Sequence, residues 1–174
     1  MILSTAMANV EELDKKMEIV PISEDDVEKL KRFNAIMFPV NYQPKFYDEC
    51  RAVPEVTLLA FDEAELVASI ACRLEQQSEG AKLYIMTLGV LAPYRRQGIA
   101  TTLLHRVLGF CQQDENIVEA YLHVQISNEE AIAFYEKYGF KIVDTIENYY
   151  RRIDPPHCYV LAKDLPKRRD PAPS

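Results

Sequence analysis

The sequence predicts an α/β domain with a mixed central sheet and helices on both faces. Apolar runs typical of strands alternate with amphipathic runs typical of helices through most of the 174 residues, and this order favours that class. A strand-like run over residues 83–90 is followed by a basic turn and then by a helix-like run over residues 101–108. With 48% apolar residues, the chain suits one compact domain with its own core.

Turn and cap signals set the element boundaries in the first half of the chain. Ser23 is a typical N-cap followed by acidic residues, and Phe38 with Pro39 ends that helix. Polar residues 62–64 and 76–80 predict turns between strands. The predicted order is strand 17–22, helix 24–37, helix 44–51, strand 55–61, strand 65–74 and strand 82–90.

The second half is predicted to alternate helices and strands. Apolar residues recur at helical spacing after Gly98, and Gly139 is expected to close a later helix as an αL cap. The predicted order is helix 98–112, strand 119–125, helix 128–138, strand 140–146 and strand 158–163.

Charge, cysteine content and hydropathy exclude several classes of protein. The net charge of -7 argues against nucleic acid as the main partner, since phosphate neutralisation requires an excess of Lys and Arg. No apolar run approaches the ~18 residues of a membrane span. The four cysteines have no CxxC spacing, so we expect reduced thiols and no metal site; they are Cys50, Cys72, Cys111 and Cys158. A cytoplasmic protein is expected, with the nucleus as an additional location.

Both ends of the chain are expected to be disordered around a domain at residues 16–164. Residues 1–15 have no basic start before their apolar stretch, and they are interpreted as a lead rather than a signal peptide. Residues 165–174 are polar and proline-rich. Their three cations could serve docking or nuclear entry, although a solvated tail is the favoured interpretation.

Residues 95–100, Arg-Arg-Gln-Gly-Ile-Ala, are the most informative stretch of the chain. They precede a helix start, where backbone N–H groups lack intrahelical partners and the helix dipole favours negative charge. Gly98 lets a ligand approach the backbone, while Arg95 and Arg96 add charge that matches phosphate. The stretch therefore predicts a phosphate site, and a plain basic turn is the alternative.

The spacing Arg-x-x-Gly-x-Ala resembles the acyl-CoA pyrophosphate loop of the GCN5-related N-acetyltransferase (GNAT) superfamily. Residues 128–140 resemble the late helix of the same superfamily, in which an Asn follows the fifth strand and a Tyr lies by the CoA thiol. The resemblance implies a single-domain GNAT fold and acetyl-CoA as the acetyl donor. The residues implied for its binding are Leu88, Gly89, Val90, Arg95, Arg96, Gln97, Gly98, Ile99, Ala100, Thr101, Asn128 and Tyr135.

Further motifs resemble the San-type branch of protein N-alpha-acetyltransferases, whose members are the catalytic subunit of NatE. They are Phe-Pro-Val at 38–40, Leu-Tyr-Ile-Met-Thr-Leu-Gly at 83–89, Ala-Pro-Tyr-Arg-Arg at 92–96, Tyr-Leu-His-Val-Gln at 121–125 and Asn-Tyr-Tyr at 148–150. The resemblance covers roughly residues 17–163. The departures are the N-terminal lead, the acidic residues 62–65 and Ala100, where family members often have Gly.

Two side chains are candidates for the chemistry. From the pattern alone, His123 and Tyr84 would each be interpreted as core residues of apolar strands. The resemblance implies instead that both are catalytic and act together through ordered water. Because an unperturbed tyrosine hydroxyl has a pKa of about 10, it is a weak base at pH 7. His123 is therefore assigned the general-base role, and Tyr84 a water-orienting or shuttle role.

The resemblance also implies a pocket for a peptide N-terminus. Its expected residues are Phe38, Pro39, Val40, Tyr42, Arg73, Met86, Tyr149 and Tyr150. The expected substrates are free N-termini of nascent or mature proteins that begin with Met followed by an apolar residue. At pH 7.5 an α-amine of pKa about 7.8 is roughly a third neutral, whereas a lysine ε-amine of pKa about 10.4 is only ~0.1% neutral.

The sequence is also compatible with two other functions. One is a lysine or small-amine acetyltransferase with the same fold. The other is an acetyl-CoA-binding subunit of the ribosome-associated NatA assembly without catalysis of its own, against which the intact Tyr84 and His123 argue.

Overall fold

The computed structural model describes residues 17–166, and these form seven strands and four α-helices. The strands are β1 (Glu18–Pro21), β2 (Thr57–Asp62), β3 (Glu65–Gln77), β4 (Gly80–Val90), β5 (Ile117–Gln125), β6 (Lys141–Ile146) and β7 (Cys158–Asp164). The helices are α1 (Val27–Met37), α2 (Pro44–Ala52), α3 (Ile99–Cys111) and α4 (Glu129–Lys137).

The strands form a mixed sheet in the order β1-β2-β3-β4-β5-β7-β6. β4 and β5 pair in parallel, while the pairs β1–β2, β2–β3, β5–β7 and β6–β7 are antiparallel. The α/β class with a mixed central sheet is therefore confirmed. None of the described helices is long and apolar enough to cross a membrane.

The main differences from the predicted boundaries lie at the β3–β4 hairpin and at the start of α1. β3 runs on to Gln77 and β4 begins at Gly80, so the predicted polar turn at 76–80 is much shorter. Polar side chains are tolerated at the exposed end of a hairpin, and for this reason composition alone misplaced the boundary. The predicted helix after Ser23 begins as a 3-10 turn, Glu24–Asp26, and becomes α-helical only at Val27.

The described residues fall into two compact units. The first comprises residues 17–73 and 85–110, and α1 and α2 contribute half of the buried side chains of its core cluster. The amphipathic pattern of α1 places Leu30 and Phe33 in this cluster, with 0% and 3% of their surfaces exposed.

The second unit comprises residues 74–84 and 111–166. α4 ends in a Schellman motif, in which the Phe140 N–H bonds the Tyr135 carbonyl and the Gly139 N–H bonds the Glu136 carbonyl. Gly139 has a φ of 89°, as its predicted role as an αL cap requires. Leu165, which was assigned to the tail, is buried and donates its N–H to the Val118 carbonyl, so the packed chain extends beyond residue 164. The rest of the predicted lead and tail lies outside the described residues, except Pro166.

Candidate active site

Tyr84 and His123 lie side by side in the second unit. In the parallel pair β4–β5, Tyr84 is opposite Tyr121, and His123 follows two residues later on the same face of β5. The Tyr84 hydroxyl oxygen is 2.9 Å from His123 Nδ1. When Nδ1 is unprotonated, Tyr84 donates this hydrogen bond. A hydroxyl and an imidazole in direct contact form a path along which a proton can pass.

Tyr149 covers the same histidine. Its ring stacks on the imidazole at a centroid distance of 4.7 Å and an angle of 25°, and its hydroxyl is 3.4 Å from His123 Nδ1. Tyr150 meets the Tyr149 ring edge-on at 4.9 Å. Since Nδ1 has a single lone pair, the two hydroxyls compete for it, and Tyr84 has the shorter bond.

The loop that carries Tyr149 and Tyr150 is tied down by hydrogen bonds. The Asn148 N–H bonds His157 Nδ1 at 3.1 Å, and the Gln125 side-chain amide donates to the Pro155 carbonyl at 2.9 Å. The Tyr150 N–H bonds the Pro156 carbonyl at 2.8 Å. These bonds fix a segment that contains no regular secondary structure.

Two further side chains, Tyr121 and Glu75, join this cluster without having been predicted. The Tyr121 hydroxyl donates a hydrogen bond to Glu75 Oε1, and its ring stacks on Tyr84 at 4.9 Å and 29°. The sequence did contain a signal for Tyr121, because its spacing of two from His123 on a strand places both on one face. Glu75 gave no such signal.

The predicted phosphate loop lies in the first unit, between β4 and α3. Gly98 has a φ of 81° and Arg96 a φ of 61°, so two residues of this short segment adopt left-handed conformations. Both of these residues are exposed, as are Arg95 and Gln97. The loop is braced because Arg95 Nε donates to the Val90 carbonyl at 3.1 Å and Thr102 Oγ1 donates to the Gly98 carbonyl at 3.0 Å.

This loop fits a pyrophosphate group. α3 begins at Ile99, and the Thr102 N–H donates to the Gly98 carbonyl, so the N–H groups of residues 98–100 precede the first turn of intrahelical hydrogen bonds. Arg95 and Arg96 are exposed just before this helix start, where the positive end of the helix dipole also lies. Of the other predicted cofactor residues on β4, Leu88 and Val90 are half-buried and Gly89 is buried.

Gly89 provides room for the segment that follows α1. A Cβ atom at this position would lie 3.0 Å from Met37 Cε and 3.0 Å from Phe38 Cζ, closer than most real contacts. The Phe38 ring contacts Tyr42 edge-on at 6.2 Å. Tyr42 and Met86 are half-buried against the core cluster of the first unit, and burial raises the pKa of Tyr42 to about 12.

The remaining predicted residues occupy varied environments. Pro39 and Val40 are exposed, whereas Arg73 forms an ion pair with Glu49 at 3.1 Å. In the second unit, Asn128 Oδ1 caps α4 by accepting from the Ala131 N–H at 3.2 Å. Tyr135 is only 6% exposed and packs edge-on against Phe134 and Phe140.

The structure thus assembles two groups of predicted residues, one in each unit. The first unit contains the phosphate loop and the segment 38–42 with Met86 and Arg73. The second contains Tyr84, His123, Tyr149 and Tyr150. Within the described residues, no group of three or more His, Cys, Asp or Glu could hold a metal ion.

Comparison with known proteins identifies the family of the chain. The family described as Acetyltransferase (GNAT) family matches residues 24–140. The chain therefore belongs to the GNAT acetyltransferase family, and the fold expected from its loop motif is confirmed.

Within that family, the chain is similar to particular N-terminal acetyltransferases. It is 45% identical to N-alpha-acetyltransferase 50 of Danio rerio over 150 residues, which cover 86% of this chain and 89% of the relative. It is 42% identical to the probable N-acetyltransferase san of Drosophila melanogaster, with 86% and 81% covered. The structure of Arabidopsis thaliana Naa50 in complex with the bisubstrate analogue CoA-Ac-MVNAL matches with 46% identity and a TM-score of 0.80, covering 85% of this chain and 98% of that one. The resemblance to the San-type branch is confirmed.

Proposed function

We propose that this protein is an N-alpha-acetyltransferase that transfers acetyl from acetyl-CoA to the free N-terminal amine of proteins. The observation that carries the proposal is the direct contact of Tyr84 with His123 in a chain 46% identical to a Naa50 solved with a CoA-linked, Met-initiated peptide analogue. The basic loop before α3 supports the choice of donor, because its geometry suits a pyrophosphate.

Tyr84 and His123 are proposed to handle the proton of the attacking amine. When bound, acetyl-CoA supplies an activated thioester: the amine nitrogen forms a C–N bond with the acetyl carbon, the C–S bond breaks, and CoA leaves as a thiolate that takes up a proton from solvent. The amine must lose one proton in this exchange. The Tyr84 oxygen accepts it, directly or through a water, while the Tyr84 hydroxyl proton passes to His123 Nδ1 across the 2.9 Å contact. The chain therefore needs no covalent intermediate and no metal ion.

The backbone N–H groups at the start of α3 are proposed to bind the pyrophosphate, with Arg95 and Arg96 adding charge. Asn128 and Tyr135 are retained as candidate contacts of the cofactor, although each also has a structural role in or beside α4.

The substrate preference is proposed to be Met followed by an apolar residue. Exposed apolar side chains at Val40, 55% exposed, and Tyr149, 41% exposed, are available for contact with a peptide. Burying an apolar second residue contributes ~1–3 kcal/mol, so an acidic residue in its place should cost roughly ten-fold or more in affinity. The larger neutral fraction of an α-amine favours N-termini over lysine.

A peptide panel tests this proposal. The purified protein is incubated with acetyl-CoA and three peptides: Met-Leu with a free N-terminus, Met-Asp with a free N-terminus, and a peptide with a blocked N-terminus and an internal lysine. We expect the order Met-Leu, then Met-Asp, then the lysine peptide. If the blocked lysine peptide is the best substrate, lysine acetylation replaces this function.

A ribosome-associated assembly of the NatA type is the proposed partner, and the cytoplasm the proposed location. The support is the resemblance to the NatE catalytic subunit. Co-purification with NatA subunits from ribosome-containing extract would support this partner, and its absence from such a preparation would argue against it.

A further inference from the structure

We propose that Tyr121, anchored by Glu75, is a positioning residue that keeps the Tyr84 hydroxyl on His123 Nδ1. The inference rests on the proposed function, since it assigns a task to Tyr84. It is independent of which N-termini the protein prefers.

The anchor is the hydrogen bond between the Tyr121 hydroxyl and Glu75 Oε1. Both side chains are half-buried, so the bond is partly shielded from water. A hydrogen bond to a carboxylate is stronger than one between neutral groups, and it fixes the direction in which the Tyr121 ring lies. Glu75 is on β3 and Tyr121 on β5, so the bond joins side chains from two different strands.

The fixed ring in turn supports Tyr84. The two rings stack at 4.9 Å and 29°, and they belong to directly opposed residues of parallel strands. Tyr121 also meets the His123 ring edge-on at 6.0 Å, so it contacts both members of the proton-transfer pair. Such aromatic pairs stabilise the fold by more than the apolar area that they bury, and they restrict the orientation of the rings.

Positioning matters here because a second hydroxyl competes for the same nitrogen. Tyr149 Oη lies 3.4 Å from Nδ1, only slightly farther than Tyr84 Oη at 2.9 Å. A small rotation of the Tyr84 ring would let Tyr149 take the lone pair and would interrupt the proposed proton path. The stacked Tyr121 ring opposes this rotation.

The test combines kinetics with a spectroscopic measurement on the full chain. Tyr121→Phe keeps the ring and removes the anchor, while Glu75→Ala removes the acceptor. Each is expected to lower kcat about three- to ten-fold, the size of one lost hydrogen bond, with an unchanged KM for acetyl-CoA. Glu75→Gln retains an acceptor oxygen and is expected to restore most of kcat. Glu119→Ala, which removes a β5 carboxylate that pairs with Lys82 of β4, serves as the control.

Two results distinguish positioning from general stabilisation. In a Tyr84→Phe background, Tyr121→Phe should cause no further loss, because the residue acts through the Tyr84 hydroxyl. In the ¹⁵N spectrum at pH 8, the His123 Nδ1 resonance should move in Tyr121→Phe and Glu75→Ala in the direction seen for Tyr84→Phe, and should not move in Glu119→Ala.

Equal losses of kcat in the parent and Tyr84→Phe backgrounds would overturn the proposal, as would an Nδ1 resonance that neither variant moves. The spectrum is read without substrate. A failure of the proposed acetyltransferase activity would therefore remain distinguishable from a failure of the positioning role.

Discussion

The Tyr84 hydroxyl oxygen lies 2.9 Å from His123 Nδ1, with Tyr121 stacked on one ring and Tyr149 on the other. This contact joins two residues that are 39 positions apart in the chain. It gives a role to a tyrosine and a histidine that the sequence pattern alone would assign to the hydrophobic core.

Removing either member of the pair should reduce turnover. His123→Ala should lower kcat by about 10²–10⁴, the usual value of general-base assistance. Tyr84→Phe, which retains the ring and its packing, should give a smaller fall. Steady-state kinetics with a Met-Leu peptide measures both, and Tyr159→Phe on β7 is the control for loss of a tyrosine hydroxyl. Parent rates in both variants would mean that solvent removes the proton.

Gly98→Val should weaken acetyl-CoA binding by about ten-fold or more. The φ of 81° at Gly98 is unfavourable for a β-branched residue, whose side chain would also occupy space beside the helix N-terminus. Calorimetric titration with CoA measures the effect. Gly109→Ala, at a helical position with nothing within 4 Å of the added Cβ, is the matched control. Equal affinity in the folded Gly98 variant and the control would exclude the loop as the pyrophosphate site.

Asp26→Asn should destabilise the protein at pH 7 by about 1 kcal/mol and much less at pH 3. Burial raises the pKa of the Asp26 carboxyl, but hydrogen bonds from the Ser23 side chain and from Lys29 outweigh it and leave the pKa below its ordinary value. A carboxyl with a lowered folded pKa stabilises the fold above its unfolded pKa. This stabilisation is lost as the pH falls below about 4. Urea unfolding of both proteins at the two pH values measures it, and an equal difference at both would contradict the assignment.

The cysteines should resist alkylation in the folded protein. Cys50, Cys72, Cys111 and Cys158 are all 0% exposed, and burial raises the pKa of both Cys50 and Cys111 to about 12. Since the thiolate is the reactive form, iodoacetamide at pH 8 should label them slowly in buffer and rapidly in urea. Mass spectrometry of the labelled chain counts the modified thiols. Rapid labelling of Cys50 or Cys111 under native conditions would show that the core opens readily.

Local signals predicted most of the fold. The apolar alternation of residues 82–90 placed β4, and the need for a left-handed residue placed the helix end at Gly139. The loop at residues 95–100 was identified because its function depends on adjacent residues. Its glycine, its arginines and the helix start are contiguous in the chain.

The side chains that contact His123 could not be predicted from local sequence signals. Tyr121 and Glu75 are 46 positions apart in sequence. Their contact depends on the order and register of β3, β4 and β5 in the sheet. The stacking of Tyr149 on His123 depends on loop bonds such as that from Gln125 to Pro155. Neither register nor loop conformation is encoded by local periodicity.

The most direct test of N-terminal acetylation is the position of the acetyl group on a single peptide that has both a free α-amine and a lysine ε-amine. A peptide beginning Met-Leu, with a free N-terminus and one internal lysine, is incubated with the protein and acetyl-CoA and then sequenced by tandem mass spectrometry. We expect acetyl on the α-amine of Met, with the signal reduced by about 10² or more in His123→Ala. Acetyl on the lysine, or the same α-amine signal from His123→Ala, would contradict the proposed function.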